Sequence, residues 1–258
     1  MQKFVLPHHS TFSMVYNISP CISIELNGFG DSDLSVIGPI LSSIEAEMTS
    51  LIDKRPYFYK KIYIKRGYEG PVIYNQNGVH VVELDVTRNY WCKWIYQFAH
   101  EYCHHLINGS FSANLCGLLW FEEVLCETSS IYCLITIERR WESMFPAYAS
   151  FRESIRSYVY DLLINDIKIE YPILESNAYI HRPSECDYNR DLYKSLACRI
   201  WLPLFLEEPS LWKILNHIGD IYAWRCLSDL LVHLEQTADS SYIKQMRMCR
   251  WLHSLYIR

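Results

Sequence analysis

Residues 87–107 read TRNYWCKWIYQFAHEYCHHLI, and this stretch decides how the chain folds. Trp91, Trp94, Ile95, Phe98, Tyr102 and Leu106 recur at helical spacing, which predicts an amphipathic helix. Thr87 or Asn89 can cap its start, and Asn108-Gly109 closes it near Ile107. Inside it lies His100-Glu101-Tyr102-Cys103-His104, an H-E-x-x-H pattern. Residues four apart share one face of a helix, so both imidazoles can reach one metal ion without bending the backbone. Glu101 is rotated about a third of a turn away, where it can act on a water instead of binding the metal.

The residues before this helix read as strands with one helix among them. Cys21 to Leu26 alternates and ends at Asn27-Gly28. Asp33 to Asp53 reads as a helix, with Leu34, Ile37, Ile40, Leu41, Ile44, Met48, Leu51 and Ile52 on one stripe. Phe58 to Lys65, Val72 to Tyr74 and Val79 to Val86 read as strands, the last two separated by the turn signal Asn77-Gly78.

After the motif a second helix is predicted from about Leu119 to Arg140. Its first turns contain Trp120-Phe121-Glu122-Glu123-Val124-Leu125-Cys126-Glu127. Eighteen residues separate His104 from Glu123, and Glu127 is one turn further on the same face. A catalytic zinc takes three protein ligands and leaves a position for water. A carboxylate at Glu127 can accept the second ring N–H of a ligand histidine. Glu122, Glu123 and Glu127 can equally be an acidic first turn that complements the helix dipole. Beyond Pro146 the pattern is helical, with segments near 147–168, 189–206, 209–218, 220–236 and 240–256, and 170–187 is the least regular part. Strands and helices first, then helices alone, predict an α+β fold. Two lobes are expected: 1–145 with sheet, helix and site, and 146–258 as a helical lobe that completes the cleft.

Composition narrows the function classes. The chain has 258 residues, of which 50% are hydrophobic and 21% charged, too apolar for disorder. Its 9 Gly and 10 Pro are few for a turn-rich sandwich. A net charge of −5 gives no electrostatic footprint for nucleic acid. Lys244, Arg247 and Arg250 form a local basic face, read as solvated. None of the 10 cysteines is spaced C-x-x-C, so a zinc ribbon or thioredoxin-type motif is absent, and most read as small helix-packing residues. MQKFVLPHHSTFS does not read as a signal peptide. The longest uncharged run, Tyr102 to Phe121, includes His, Asn, Ser and Gly and is not a membrane span. These features predict a cytoplasmic protein with reduced thiols and no membrane partner.

The H-E-x-x-H pattern, the eighteen-residue spacing and WFEEVLCE together resemble the gluzincin metallopeptidases, the group of thermolysin and the M1 aminopeptidases. The resemblance covers roughly residues 58–140, with specific motifs only in 100–127. It implies a zincin-like fold in which His100, His104 and Glu123 bind zinc and Glu101 is general base and proton shuttle. It implies a peptide or protein substrate, bound as an added strand at the sheet's edge, taken as Val79 to Val86. It also implies a Tyr or His from the C-terminal part beside the developing oxyanion. Tyr193 is the chosen candidate, with Tyr188 and His181 as others.

There are departures from the family pattern. No G-x-M-E-N motif is present, so exopeptidase activity is not implied and an endopeptidase is expected. Val124 stands where a Gly often follows the ligand Glu. AHEYCHHL, Ala99 to Leu106, is also similar to a motif of the repressor-cleaving metalloproteases of mobile elements. Two other readings therefore stay open: a regulatory protease of that kind, and an inactive metal-binding or protein-interaction module of the same fold. His105 is read as facing solvent or backing the ligand histidines. His8, His9, His80, His217, His233 and His253 have no ligand-like spacing.

Overall fold

A computed structural model describes residues 14–52, 60–107, 119–164 and 190–218. Five strands form one mixed sheet: β1 (Val15–Asn17), β2 (Ile22–Glu25), β3 (Ile62–Arg66), β4 (Val72–Gln76) and β5 (Val79–Leu84). Their order is β1-β2-β3-β5-β4. The central pairs β2–β3 and β3–β5 are parallel, and the outer pairs β1–β2 and β5–β4 are antiparallel. Alternation sets the two faces. Ile22, Ile24, Ile62, Ile64, Ile73, Val82 and Leu84 point into the core. On the other face Tyr63 donates to Glu25, Lys65 pairs with Glu83 at 3.0 Å, and Tyr74 donates to Glu83 at 2.9 Å.

A parallel pair needs a crossover, and α1 (Leu34–Leu51) supplies it between β2 and β3. Asp33 caps α1 by accepting from the Ser35 backbone N–H at 2.9 Å. The stripe read from the sequence, from Ile37 to Met48, is buried. β4 returns to β5 through a two-residue turn in which Asn77 (φ 53°) and Gly78 (φ 81°) are both left-handed. That is the hairpin geometry Asn-Gly favours.

The helix expected from the opening stretch is α2 (Trp91–Ile107), and its surroundings differ from the expected amphipathic stripe. Every residue from Trp94 to Ile107 is buried. α2 lies against α1, the sheet and α3 (Leu119–Met144). It is a central helix, so Gln97, His100, Glu101, His104 and His105 are polar groups inside the core.

The later segments are helical, but 3-10 and π turns interrupt them. A 3-10 turn at Pro146–Phe151 leads into α4 (Arg152–Ile164). Residues expected to form one helix over 189–206 are α5 (Arg190–Leu196), a π-helical turn at Ala197–Trp201 and α6 (Leu202–Glu207). A second 3-10 turn, Pro209–Ile214, precedes α7 (Leu215–Ile218). α5 packs on α3. Phe145, Ile155, Leu192, Trp201 and Trp212 join the same apolar cluster as the sheet. The described residues thus form an α+β arrangement.

Two strand expectations need correction. β5 is not at the edge, because β3 and β4 flank it. Among the described residues the outermost strands are β1 and β4, and β1 has no sequence signal because three residues are too few to alternate. The helices expected at 220–236 and 240–256, the irregular 170–187 and the basic face at 244–250 lie outside the described residues. Among the described residues no helix is long and apolar enough to cross a membrane.

A Cβ on Gly78 would meet nothing within 4 Å, so its constraint is backbone conformation alone. Gly78→Ala should cost about 1 kcal/mol, read as a lower urea midpoint with an unchanged denaturant slope.

Candidate metal centre

His100 and His104 stand one turn apart on α2, with ring centroids 5.1 Å apart. They meet the first turns of α3. The Glu123 carboxylate spans them: Oε2 is 3.3 Å from His100 Nε2, and Oε1 is 3.4 Å from His104 Nε2. Different oxygens make the two contacts, so the carboxylate bridges the rings, and it is the donor types, two imidazoles and a carboxylate, that suit a metal ion.

The opposite ring nitrogens face other carboxylates. His104 Nδ1 is 2.6 Å from Glu122 Oε1. His100 Nδ1 is 3.8 Å from Glu127 Oε1, beyond hydrogen-bond reach, and is without a hydrogen-bond partner. Glu127 accepts from the Tyr96 hydroxyl on Oε2 and from Arg190 Nε at 3.3 Å on Oε1. Glu122, readable from sequence as a dipole-complementing residue, instead faces a candidate ligand. It brackets the His104 ring together with its neighbour Glu123.

Charge in this group follows from burial. Burial disfavours the imidazolium at His100 and His104, yet the neighbouring carboxylates outweigh it and raise both. Burial alone would raise Glu123, but hydrogen bonds from the two imidazoles hold it well below the usual carboxylate range. Glu101 is 2% exposed, and burial raises it despite the two imidazoles.

Cys126 also belongs here. One ligand atom from each of His100, His104 and Cys126 lies within 4.8 Å of the others, so this buried group could hold a metal ion. Burial pushes the Cys126 thiol well up, and Cys103 is its hydrogen-bonding neighbour. Among the described cysteines, Cys21, Cys92, Cys103, Cys126, Cys133 and Cys198 are unbridged.

α5 reaches the site through Arg190. Tyr193, one turn further along, is buried at 3% exposure. Tyr188 and His181 lie outside the described residues. Tyr96 had a legible signal, since it is four residues before His100 on the same face. Arg190 had none, because it comes from a remote segment.

His105 does not face solvent. It is 2% exposed and turned toward the sheet, where its Nδ1 is 2.8 Å from His80 Nδ1 on β5. One ring donates and the other accepts, so the pair is suited to two neutral imidazoles. Burial lowers His80 to about 4 and His105 to about 3.

Comparison with protein-family models, curated proteins and solved structures finds no match.

His80 is held below its unfolded value of about 6.5. Its neutral form is native, so between pH 6.5 and about 4 the unfolded chain binds the extra proton. Its contribution to stability is therefore intact above pH 6.5 and declines as pH falls to about 4. Urea titrations at pH 7.5 and 5.0 should show a smaller pH-dependent loss for His80→Gln than for the wild type.

Proposed function

We propose that the chain is a zinc-dependent peptidase of zincin-like fold. The observation that carries the reading is Glu123 between the Nε2 atoms of His100 and His104, with Glu101 adjacent in the same buried space. His100, His104 and Glu123 would hold the metal, and two nitrogens with one carboxylate suit zinc. Bound zinc would supply a Lewis acid for the scissile carbonyl and make water acidic near neutrality.

The remaining work falls to the chain itself. Glu101 takes the proton from the attacking water and returns it to the leaving amine. Its raised affinity for a proton suits a group that must hold one between those steps. Tyr193 is the proposed donor to the developing oxyanion. An extended peptide would add to the outer side of β4, where no further strand lies among the described residues. This moves the substrate edge from β5, where the sequence reading put it, to β4. Ile73 anchors β4 in the core, while Val72, Tyr74 and Gln76 point to the opposite face.

A second reading is favoured by Cys126. Adding a thiolate to two imidazoles and a carboxylate would give four protein ligands, the closed arrangement of a structural site. The chain would then be a metal-stabilised binding module without turnover.

Cobalt substitution and one variant separate these readings. The peptidase reading expects Glu101→Gln to keep stoichiometric zinc and lose hydrolysis of a peptide library by at least about 10²-fold. It also expects a cobalt form without thiolate charge-transfer absorption. Normal cleavage by Glu101→Gln would sink the mechanism. A thiolate band abolished by Cys126→Ser, with no turnover by the wild type, would establish the closed module instead. His100→Ala and His104→Ala should lose the metal under either reading, measured by elemental analysis after gel filtration.

A further inference from the structure

Glu127 is 1% exposed, and a carboxylate buried that deeply needs donors. It has two, from different elements. The Tyr96 hydroxyl, on the α2 turn before His100, takes Oε2. The Arg190 guanidinium, at the first residue of α5, takes Oε1 at 3.3 Å. Donors from two elements therefore orient the carboxylate plane. Oε1 is also the oxygen that faces His100 Nδ1, 3.8 Å away.

His100 can give Nε2 to a metal only if its proton sits on Nδ1, and Nδ1 then needs an acceptor. Glu127 Oε1 is positioned for that role, one short movement from hydrogen-bond distance. Four carboxylates, Glu101, Glu122, Glu123 and Glu127, crowd this space, and Arg190 is a cation set against them. Its side chain is 45% exposed, so it bridges the buried carboxylate to the surface.

We propose that Arg190 is a positioning residue of the metal centre: through Glu127 it orients the His100 imidazole, so that docking of α5 is a condition for tight metal binding. The inference rests on the metal-site reading above. It makes the chain's later helical segment part of the ligand scaffold and not only a wall of the cleft. Without Arg190, Glu127 Oε1 loses the donor that holds it on the His100 side and is free to turn away. That turn removes the acceptor that fixes the His100 tautomer.

The test is zinc affinity of the full chain, measured by competition with a chromophoric chelator. Arg190→Met should weaken zinc binding about 10–100-fold, the usual cost of removing a partner behind a ligand histidine. Arg190→Lys should recover part of the loss, since it keeps the charge without the planar fork. It also supplies the comparison if the Met variant does not fold. Glu127→Gln should weaken binding by itself, and Arg190→Met should add nothing in that background, because both act through one carboxylate. Equal affinity of wild type and Arg190→Met would overturn the inference while leaving the metal site standing. So would an equal loss in both backgrounds, which would mark Arg190 as a general electrostatic or structural contributor. A wild-type chain that binds no zinc would overturn the metal-site reading and this inference with it.

Discussion

The contact between the Glu123 carboxylate and the Nε2 atoms of His100 and His104 ties α2 to α3, and much of the structure can be read as its support. α2 runs through the interior, where unpaired polar groups are costly. Several of its polar side chains are met by partners from the surrounding elements. Gln97 donates to the Asp85 carbonyl at 3.2 Å, His105 meets His80 on β5, and His104 lies between Glu122 and Glu123. Ser129 of α3 donates to the Ala99 carbonyl at 3.1 Å, which holds the two helices close just beside the histidines.

Bulk aromatic packing fixes the elements that carry these groups. Trp91 sits among Trp141, Tyr148 and Phe151, joining the start of α2 to the far end of α3 and the turn beyond it. Phe121, next to Glu122, packs on Trp201, and Trp201 on Phe205. The first turns of α3 are thus held from both sides. A side chain on a packed helix loses little further freedom when it engages a ligand, which favours a preorganised site. The low local dielectric also strengthens each charge interaction among the carboxylates and imidazoles.

Legibility differed by kind of signal. The α1 stripe, the Asn77-Gly78 hairpin and the presence of α2 were readable because local periodicity and turn chemistry carry them. The burial of α2 on all sides was not, since Gln97, His100, Glu101, His104 and His105 give it a polar face in sequence. β1 was missed because Val15–Asn17 has too few residues to alternate. β5 looked like an edge because strand order is a long-range property: β4 follows β3 in the chain but pairs with β5 in space. The single helix expected over 189–206 was interrupted by a π turn, which apolar spacing does not register.

At the site, the pairing of His100 with His104 is a matter of local helix geometry, and the sequence alone determined it. So too with Glu101, whose place next to His100 follows from a fixed rotation of 100° per residue. Which carboxylate faces which ring nitrogen was decided only in three dimensions. Glu122 and Glu123 are neighbours in the chain, and the angle at which α3 crosses α2 sends one to Nδ1 and the other to Nε2 of His104. Arg190 is 63 residues from Glu127, and their contact exists only because α5 packs on α3. Periodicity reports one helix at a time. Contacts between helices depend on side-chain packing summed over the whole core, and no local pattern encodes that sum.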